Sequence, residues 1–352
     1  MADLQTLPRP LVQGPSAWFG ADIAMRPEEW TYTLSAAELG EIEAATVACR
    51  GRDIATITRK DFPLPKFGPE LEKIRDELLN GRGFVLIRGL PVEGRTIADS
   101  ATSYWGIGTW LGSARSQNAK GHVLGHVRDL GLATADPNVR TYQTTERQHF
   151  HTDSCDIVGL LCLKTARSGG MSSLVSSNTI YNVMAERHPD LVWRLFKPFA
   201  VDRRGEVPEG KKPWFEMPVF NDYQGYLSAI YSGTYIRSAL RFPDAPHPAA
   251  ADFAALDCFD SLAEDKELRL DITFQPGDMQ FVHNHTLLHD RTSFVDWPDP
   301  ERKRHLLRLW LAAPGARPLP PIYAERYGGI EIGDRGGIIC PGTRLHAPLE
   351  PV

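Results

Sequence analysis

Apolar and polar positions along this chain recur in two rhythms. In the first third the rhythm is helical. Ser35-Ala36-Ala37-Glu38 has the form of a capping box, which predicts a helix from there to about Ala48. Pro69 suits a first turn and Gly81 a helix end, and between them Leu71, Ile74 and Leu78 fall on one face. A third helix is predicted over roughly Ile97 to Leu111. Gly83-Phe84-Val85-Leu86-Ile87-Arg88-Gly89 reads instead as a buried strand ending in a turn. The first thirty or so residues, rich in proline and aromatics, are expected to lie extended over the core.

From about Thr141 the rhythm shortens to that of strands. Ile157 to Leu163 is a near-continuous apolar run typical of a buried strand. Gln275-Pro276-Gly277-Asp278 is a turn feeding a strand at Met279-Gln280-Phe281-Val282-His283. Asp222-Tyr223-Gln224-Gly225 reads as a hairpin turn between Val219-Phe220 and Tyr226-Leu227-Ser228. In the run Arg302 to Leu311, Leu307, Leu309 and Leu311 alternate with Leu306, Arg308 and Trp310. Helix is expected again near residues 178–197 and 248–264. Helices gathered early and strands late predict an α+β fold. No glycine-rich loop follows a strand, which argues against a nucleotide-binding fold.

Bulk composition narrows the partners. The 352 residues are 42% apolar and 24% charged, ordinary for a globular chain, and the formal charge is −5. That balance offers no basic footprint, so nucleic acid and acidic membranes are poor partners and a small molecule is the expected one. Five cysteines without a C-x-x-C fit a reduced, cytoplasmic protein. No secretory leader or spanning helix is visible, which agrees with that location. The oligomeric state, a homo-oligomer included, is not legible.

The candidate chemistry starts at His151 and Asp153. Two residues apart on extended backbone, an imidazole and a carboxylate point to the same side. With a distant histidine they would form a 2-His-1-carboxylate metal site. A second string, His188-Pro189-Asp190, has proline at a helix first turn before an apolar run and reads as structural. The third ligand would come from His283, His285 or His289, the others being structural or supporting. Arg304 and Arg308 share a strand face with Leu306 and Trp310, and an inward arginine needs an anion, best a carboxylate. Four residues of strand span roughly 13 Å, so the two cannot grip one small carboxylate from the same side.

Taken together these segments resemble the taurine dioxygenase/TfdA-like family of Fe(II)- and 2-oxoglutarate-dependent oxygenases. The matching pieces are His151-Thr152-Asp153, Ser168-Gly169-Gly170-Met171-Ser172-Ser173, Pro276-Gly277-Asp278, Leu288-His289-Asp290-Arg291-Thr292-Ser293-Phe294 and Arg304-His305-Leu306-Leu307-Arg308. The resemblance spans roughly residues 80–315. It implies a double-stranded β-helix (jelly-roll) core with flanking N-terminal helices and a helical insertion. It also implies one oxygenase domain over residues 1–352: extension and helices at 1–80, core at 81–315, and a tail at 316–352 packing on the core. It selects His289 to join His151 and Asp153 as iron ligands.

The same resemblance assigns the cosubstrate 2-oxoglutarate to Arg304, at 304 − 289 = 15 residues beyond the distal histidine. Ser172 stands at a hydroxyl position, commonly threonine, that helps hold it. Arg308 matches a second arginine that faces either cosubstrate or substrate. Arg147, Tyr142 and Tyr231 are further candidates for substrate contact, and residues 200–245 for a specificity insert. Arg147 occupies a position where an uncharged polar residue is expected, so taurine itself is not carried over. The implied reaction consumes 2-oxoglutarate and O2, releases succinate and carbon dioxide, and hydroxylates or desaturates a small molecule. Related halogenases lack the carboxylate ligand, so Asp153 favours oxygenation. The competing reading is a cupin-like metalloprotein with a non-redox isomerase or hydrolase activity, which would not need an inward arginine at that spacing.

Overall fold

A computed structural model of the protein describes residues 7–132 and 139–351. Eleven strands in two sheets carry the centre. The larger sheet holds β1 (Thr31–Thr33), β2 (Phe84–Arg88), β3 (Ser113–Ala114), β4 (Gly125–Val127), β6 (Ile157–Lys164), β9 (Met279–His283) and β11 (His305–Ala312). The smaller holds β5 (Gln148–His151), β7 (Ser172–Ser176), β8 (Arg269–Ile272) and β10 (Leu287–Arg291). In the larger sheet the order is β1-β2-β9-β6-β11, with β3 and β4 both on the free side of β11; in the smaller it is β8-β7-β10-β5. Only β1 and β2 pair in parallel within these sheets.

The two-residue period of β11 decides the layering. Leu306 and Trp310 point between the sheets, where they meet Phe84, Val158, Leu174, Ile272 and Leu287. Leu307, Leu309 and Leu311 point outward against helices Phe67–Asn80 and Ile97–Leu111 through Leu71, Leu78, Tyr104 and Ile107. Both faces of the larger sheet are therefore covered, which is why β6 and β11 read as almost unbroken apolar runs. Gly159 sits in β6 beneath the helix layer because a Cβ there would lie 2.5 Å from the Tyr104 hydroxyl. The outer face of the smaller sheet packs through Phe150, Val175 and Leu288 on helices Ser177–Arg187 and Ala250–Ala263.

Local signals in the sequence correspond to real ends. Ser35 and Glu38 close the capping box of helix Ala36–Ala48. Gln224 and Gly225 both take positive φ in the turn of hairpin Phe220–Tyr223 and Tyr226–Ala229, the geometry that such a turn requires. Two expectations need correction. The N-terminal segment is not simply extended: it contains helix Gly20–Ala24, and residues 1–6 lie outside those described. The last strand starts at His305 and not Arg302, because Pro300 opens a short 3-10 turn capped by Asp299. No helix among the described residues is long and apolar enough to cross a membrane.

One buried ionic knot joins four segments. Asp156 Oδ1 meets Arg335 Nη2 at 2.7 Å and His285 Nε2 at 3.0 Å, and its Oδ2 accepts from the Ala313 amide at 3.0 Å. Asp156 and Arg335 are almost wholly removed from solvent. Breaking a buried pair strands its partner's charge, so Arg335→Met is expected to lose about 3–5 kcal/mol of stability, read by urea unfolding. Ser35→Ala, which removes only a cap, is expected to lose about 1 kcal/mol. Equal losses for the two variants would contradict the role given to the knot.

Candidate metal centre

β5 and β10 lie side by side with His151 directly opposite His289. Their rings are 4.2 Å apart between centroids. Asp153 follows two residues after His151, placing Oδ1 3.8 Å from His151 Nε2 and Oδ2 3.5 Å from His289 Nε2. One ligand atom from each of the three residues falls within 4.8 Å of the others, a cluster able to hold a metal ion. The β5–β10 register shifts by one residue between His289 and Arg291, a bulge. It brings Gln148 to the same side as His151, and the amide Nε2 reaches His151 Nε2 at 2.9 Å.

The protonation states suit a divalent cation. His151 Nδ1 donates to the His149 carbonyl at 2.8 Å, leaving Nε2 as the acceptor, which the Gln148 amide meets at 2.9 Å. Burial, with His289 alongside, pushes the His151 pKa down to about 3, so the imidazole is neutral. Burial alone would raise the Asp153 pKa, but Arg308 and the neighbouring histidines outweigh it and hold the carboxyl well below its usual range. Trp310 Nε1 donates to Asp153 Oδ2 at 2.8 Å, and Asn284 Oδ1 accepts from the Asp153 amide at 3.1 Å. Two imidazole nitrogens and one fixed carboxylate are a donor set that fits iron.

A narrow cavity leads from His151 and His289 between the sheets to Arg304, past Ser172, Leu160 and Leu306. Arg304 is 4% exposed, and burial pushes its pKa down to about 10. Its backbone amide donates to Asp296 Oδ1 at 2.8 Å, while the buried Nη1 has no hydrogen-bond partner among the described residues. Gly170, at φ +71°, leaves room for the guanidinium, since a Cβ there would lie 2.9 Å from Arg304 Nε. Ser172 Oγ donates to Gln280 Oε1 at 3.1 Å. A buried cation with a free donor at the far end of a channel from a metal cluster fits a dicarboxylate that chelates at one end.

A second, larger cavity, open to solvent, lies on the other side of the cluster. Tyr142, Arg147, Tyr231 and Arg308 all border it. Arg308 borders both cavities; its Nε donates to Gln117 Oε1 at 2.7 Å, and its Nη1 stands 3.8 Å from Asp153 Oδ2. Tyr142 lies against that guanidinium, 4.6 Å from ring centre to carbon. Arg147 is engaged elsewhere, by Asp290 at 2.9 Å and Glu264 at 2.7 Å. The Tyr231 hydroxyl donates to Asp260 at 2.6 Å, and its backbone zips to Thr152. Of residues 200–245, Val201, Glu206, Phe215, Met217 and the run 230–236 reach the cavity, whereas Trp214 packs elsewhere.

The remaining candidates separate cleanly. His285 belongs to the Asp156 knot, and His283 Nδ1 pairs with Thr286 Oγ1 at 3.0 Å. His188 and Asp190 are exposed at the start of helix Pro189–Val192. Sequence reasoning missed Gln148, Asn284, Trp310, Arg140 and Arg326. The first three stand beside residues already singled out, but nothing in the chain marks Arg326.

The sequence model of the family described as "Taurine catabolism dioxygenase TauD, TfdA family" matches residues 50–310. The chain is 32% identical over 332 residues to the FR-33289 synthase of Streptomyces rubellomurinus, covering 91% of this chain and 96% of that one. It is 31% identical over 308 residues to a taurine hydroxylase-like protein of Stachybotrys chartarum, covering 83% and 77%. Among solved structures, an asparagine oxygenase in complex with Fe(II), 2S,3S-3-hydroxyasparagine and succinate shares the fold with a TM-score of 0.61 at 15% identity, over 80% of this chain and 93% of that one. With the family model and a near full-length relative in agreement, the chain belongs to the taurine catabolism dioxygenase TauD, TfdA family, and is an iron- and 2-oxoglutarate-dependent dioxygenase.

Proposed function

We propose that His151, Asp153 and His289 hold the iron, that Arg304 with Ser172 anchors the far carboxylate of 2-oxoglutarate, and that the larger cavity admits a small molecule that is hydroxylated or desaturated. The observation carrying this reading is the buried, unpaired Nη1 of Arg304 at the end of the channel that starts at the triad. A non-redox metal site would give that guanidinium no reason to stay buried without an acid. When bound, iron would activate O2, the oxidant, with 2-oxoglutarate supplying two electrons as it is decarboxylated to succinate and carbon dioxide and the substrate supplying the other two.

The chain's own residues provide placement. Trp310 and Asn284 fix Asp153, the His149 carbonyl fixes the His151 tautomer, and Arg308 separates cosubstrate from substrate. Apolar walls at Leu160 and Leu306 keep the channel dry, which strengthens the Arg304 contact. The carboxylate at position 153 favours oxygenation over halogen transfer, as the resemblance implies.

Strand order supports a double-stranded β-helix within a single domain. From β4 onward eight strands cross between the sheets at every step except β7 to β8, which pair with each other, giving β4-β11-β6-β9 and β5-β10-β7-β8. First thus meets eighth, third meets sixth, and second meets seventh, the wrapping of a jelly roll. The C-terminal tail supports the same unit by burying Leu319, Tyr323, Tyr327 and Arg335. The five free cysteines support a reducing, cytoplasmic setting.

Purified protein given Fe(II), 2-oxoglutarate and O2 is expected to form succinate, faster with its true substrate. Asp153→Ala and His289→Ala are expected to bring that rate to background. Unchanged rates in both variants, or no consumption of 2-oxoglutarate across a broad substrate panel, would sink the reading.

Arg304→Met is expected to raise the KM for 2-oxoglutarate by roughly thirtyfold or more, the effect of about 2–5 kcal/mol for losing one partner of a buried charge pair. Ser172→Ala is expected to raise it by no more than about tenfold, since one hydroxyl hydrogen bond contributes about 0.5–1.5 kcal/mol net. Steady-state kinetics in 2-oxoglutarate distinguishes the two; an Arg304 effect smaller than that of Ser172 would reverse the assignment.

A further inference from the structure

The larger cavity carries a cation that the oxygenase reading does not use. Arg326, on the short helix Ala324–Tyr327 of the C-terminal tail, lines that cavity and lies beyond residues 50–310 matched by the family. Its Nε donates to Ser154 Oγ at 2.7 Å, and its guanidinium packs 5.7 Å from the Phe215 ring. Ser154 follows Asp153 directly, with consecutive Cα atoms about 3.8 Å apart, so the cation stands within a small molecule's length of the metal cluster.

Among the described residues no carboxylate comes within 4.0 Å of Arg326. Glu206, the acid whose charge acts on it most, is already taken by Arg140, whose Nη1 also donates to the Tyr235 hydroxyl at 2.7 Å. The other cavity cations are likewise engaged: Arg147 by two acids, and Arg308 by Gln117 and Asp153. The cavity lining includes the apolar Val201, Phe215, Met217 and Ile230, of which Phe215 packs against the Arg326 guanidinium. A guanidinium in such a setting is poorly solvated and gains most from an anion that arrives with the ligand.

Resting on the oxygenase reading, we propose that Arg326 is the specificity-determining cation of the substrate cavity and that the substrate carries an oxyanion. Inorganic phosphate is the simplest probe of such a group. The tail thereby selects the substrate, and the core oxidises it.

The test uses the protein loaded anaerobically with Fe(II) and 2-oxoglutarate, so that the metal and Arg304 are occupied before inorganic phosphate is added. Phosphate is expected to raise the Tm of the wild type. Arg326→Gln is expected to weaken phosphate by about tenfold or more, the loss of one charge-assisted contact, and Arg326→Lys to restore part of the affinity. A second measurement needs no variant: phosphate is expected to protect Arg326 from phenylglyoxal, read by peptide mass. A wild type indifferent to phosphate, an Arg326→Gln protein binding it as tightly, or Arg326 modified equally with and without phosphate would each overturn the proposal. Equilibrium dialysis of 2-oxoglutarate in the same samples separates the two ideas. Its failure to bind counts against the oxygenase reading, whereas its retention with no phosphate response counts against the anion subsite alone.

Discussion

The arrangement of this molecule depends on one carboxylate that cannot be left alone. Asp156 is 0% exposed, and a charge removed from water stays in place only if every lone pair is answered. The answers come from far along the chain: His285 between β9 and β10, the Ala313 amide at the end of β11, and Arg335 in the tail. Asp153 lies three residues before Asp156, and Asn284, which receives the Asp153 amide, lies beside His285. The knot thus fixes the far end of the loop carrying Asp153 and the turn leading to His289, while Thr152 against Tyr231 holds the near end. The spacing of the triad is inherited from both.

The two sheets divide the work. The larger is covered on its outer face by helices and contributes bulk and rigidity. The smaller contributes both histidines, on its paired strands β5 and β10. Between them the apolar filling gives way to polar groups at three places, with Trp310 toward Asp153, Arg308 at the boundary of the cavities and Arg304 at the end of the channel. Chemistry is thereby placed on regular strands, while the walls that would tell one substrate from another come from the insert and the tail.

What could be read from the sequence was whatever is local. The Ser35 capping box, the Asp222–Gly225 turn and the two-residue period of β11 depend on neighbours a few positions away, and each has its predicted counterpart. His151 and Asp153 were legible for the same reason. Choosing among His283, His285 and His289 was not, because what separates them is a partner: Thr286 for the first, Asp156, 129 residues away, for the second, and the facing His151 for the third. Arg147 and Tyr231 looked like substrate contacts because an arginine or tyrosine near a site has no visible owner in one dimension. Their owners, Asp290 and Glu264 for one and Asp260 for the other, appear only when the chain is folded.

Arg308 has a consequence of its own. It forms part of both cavity walls and stands 3.8 Å from Asp153. Any occupant of the larger cavity that draws this guanidinium toward itself weakens the field that keeps the Asp153 carboxylate ionised. The charge that divides the two chambers is therefore also a charge that holds the Asp153 carboxylate ionised.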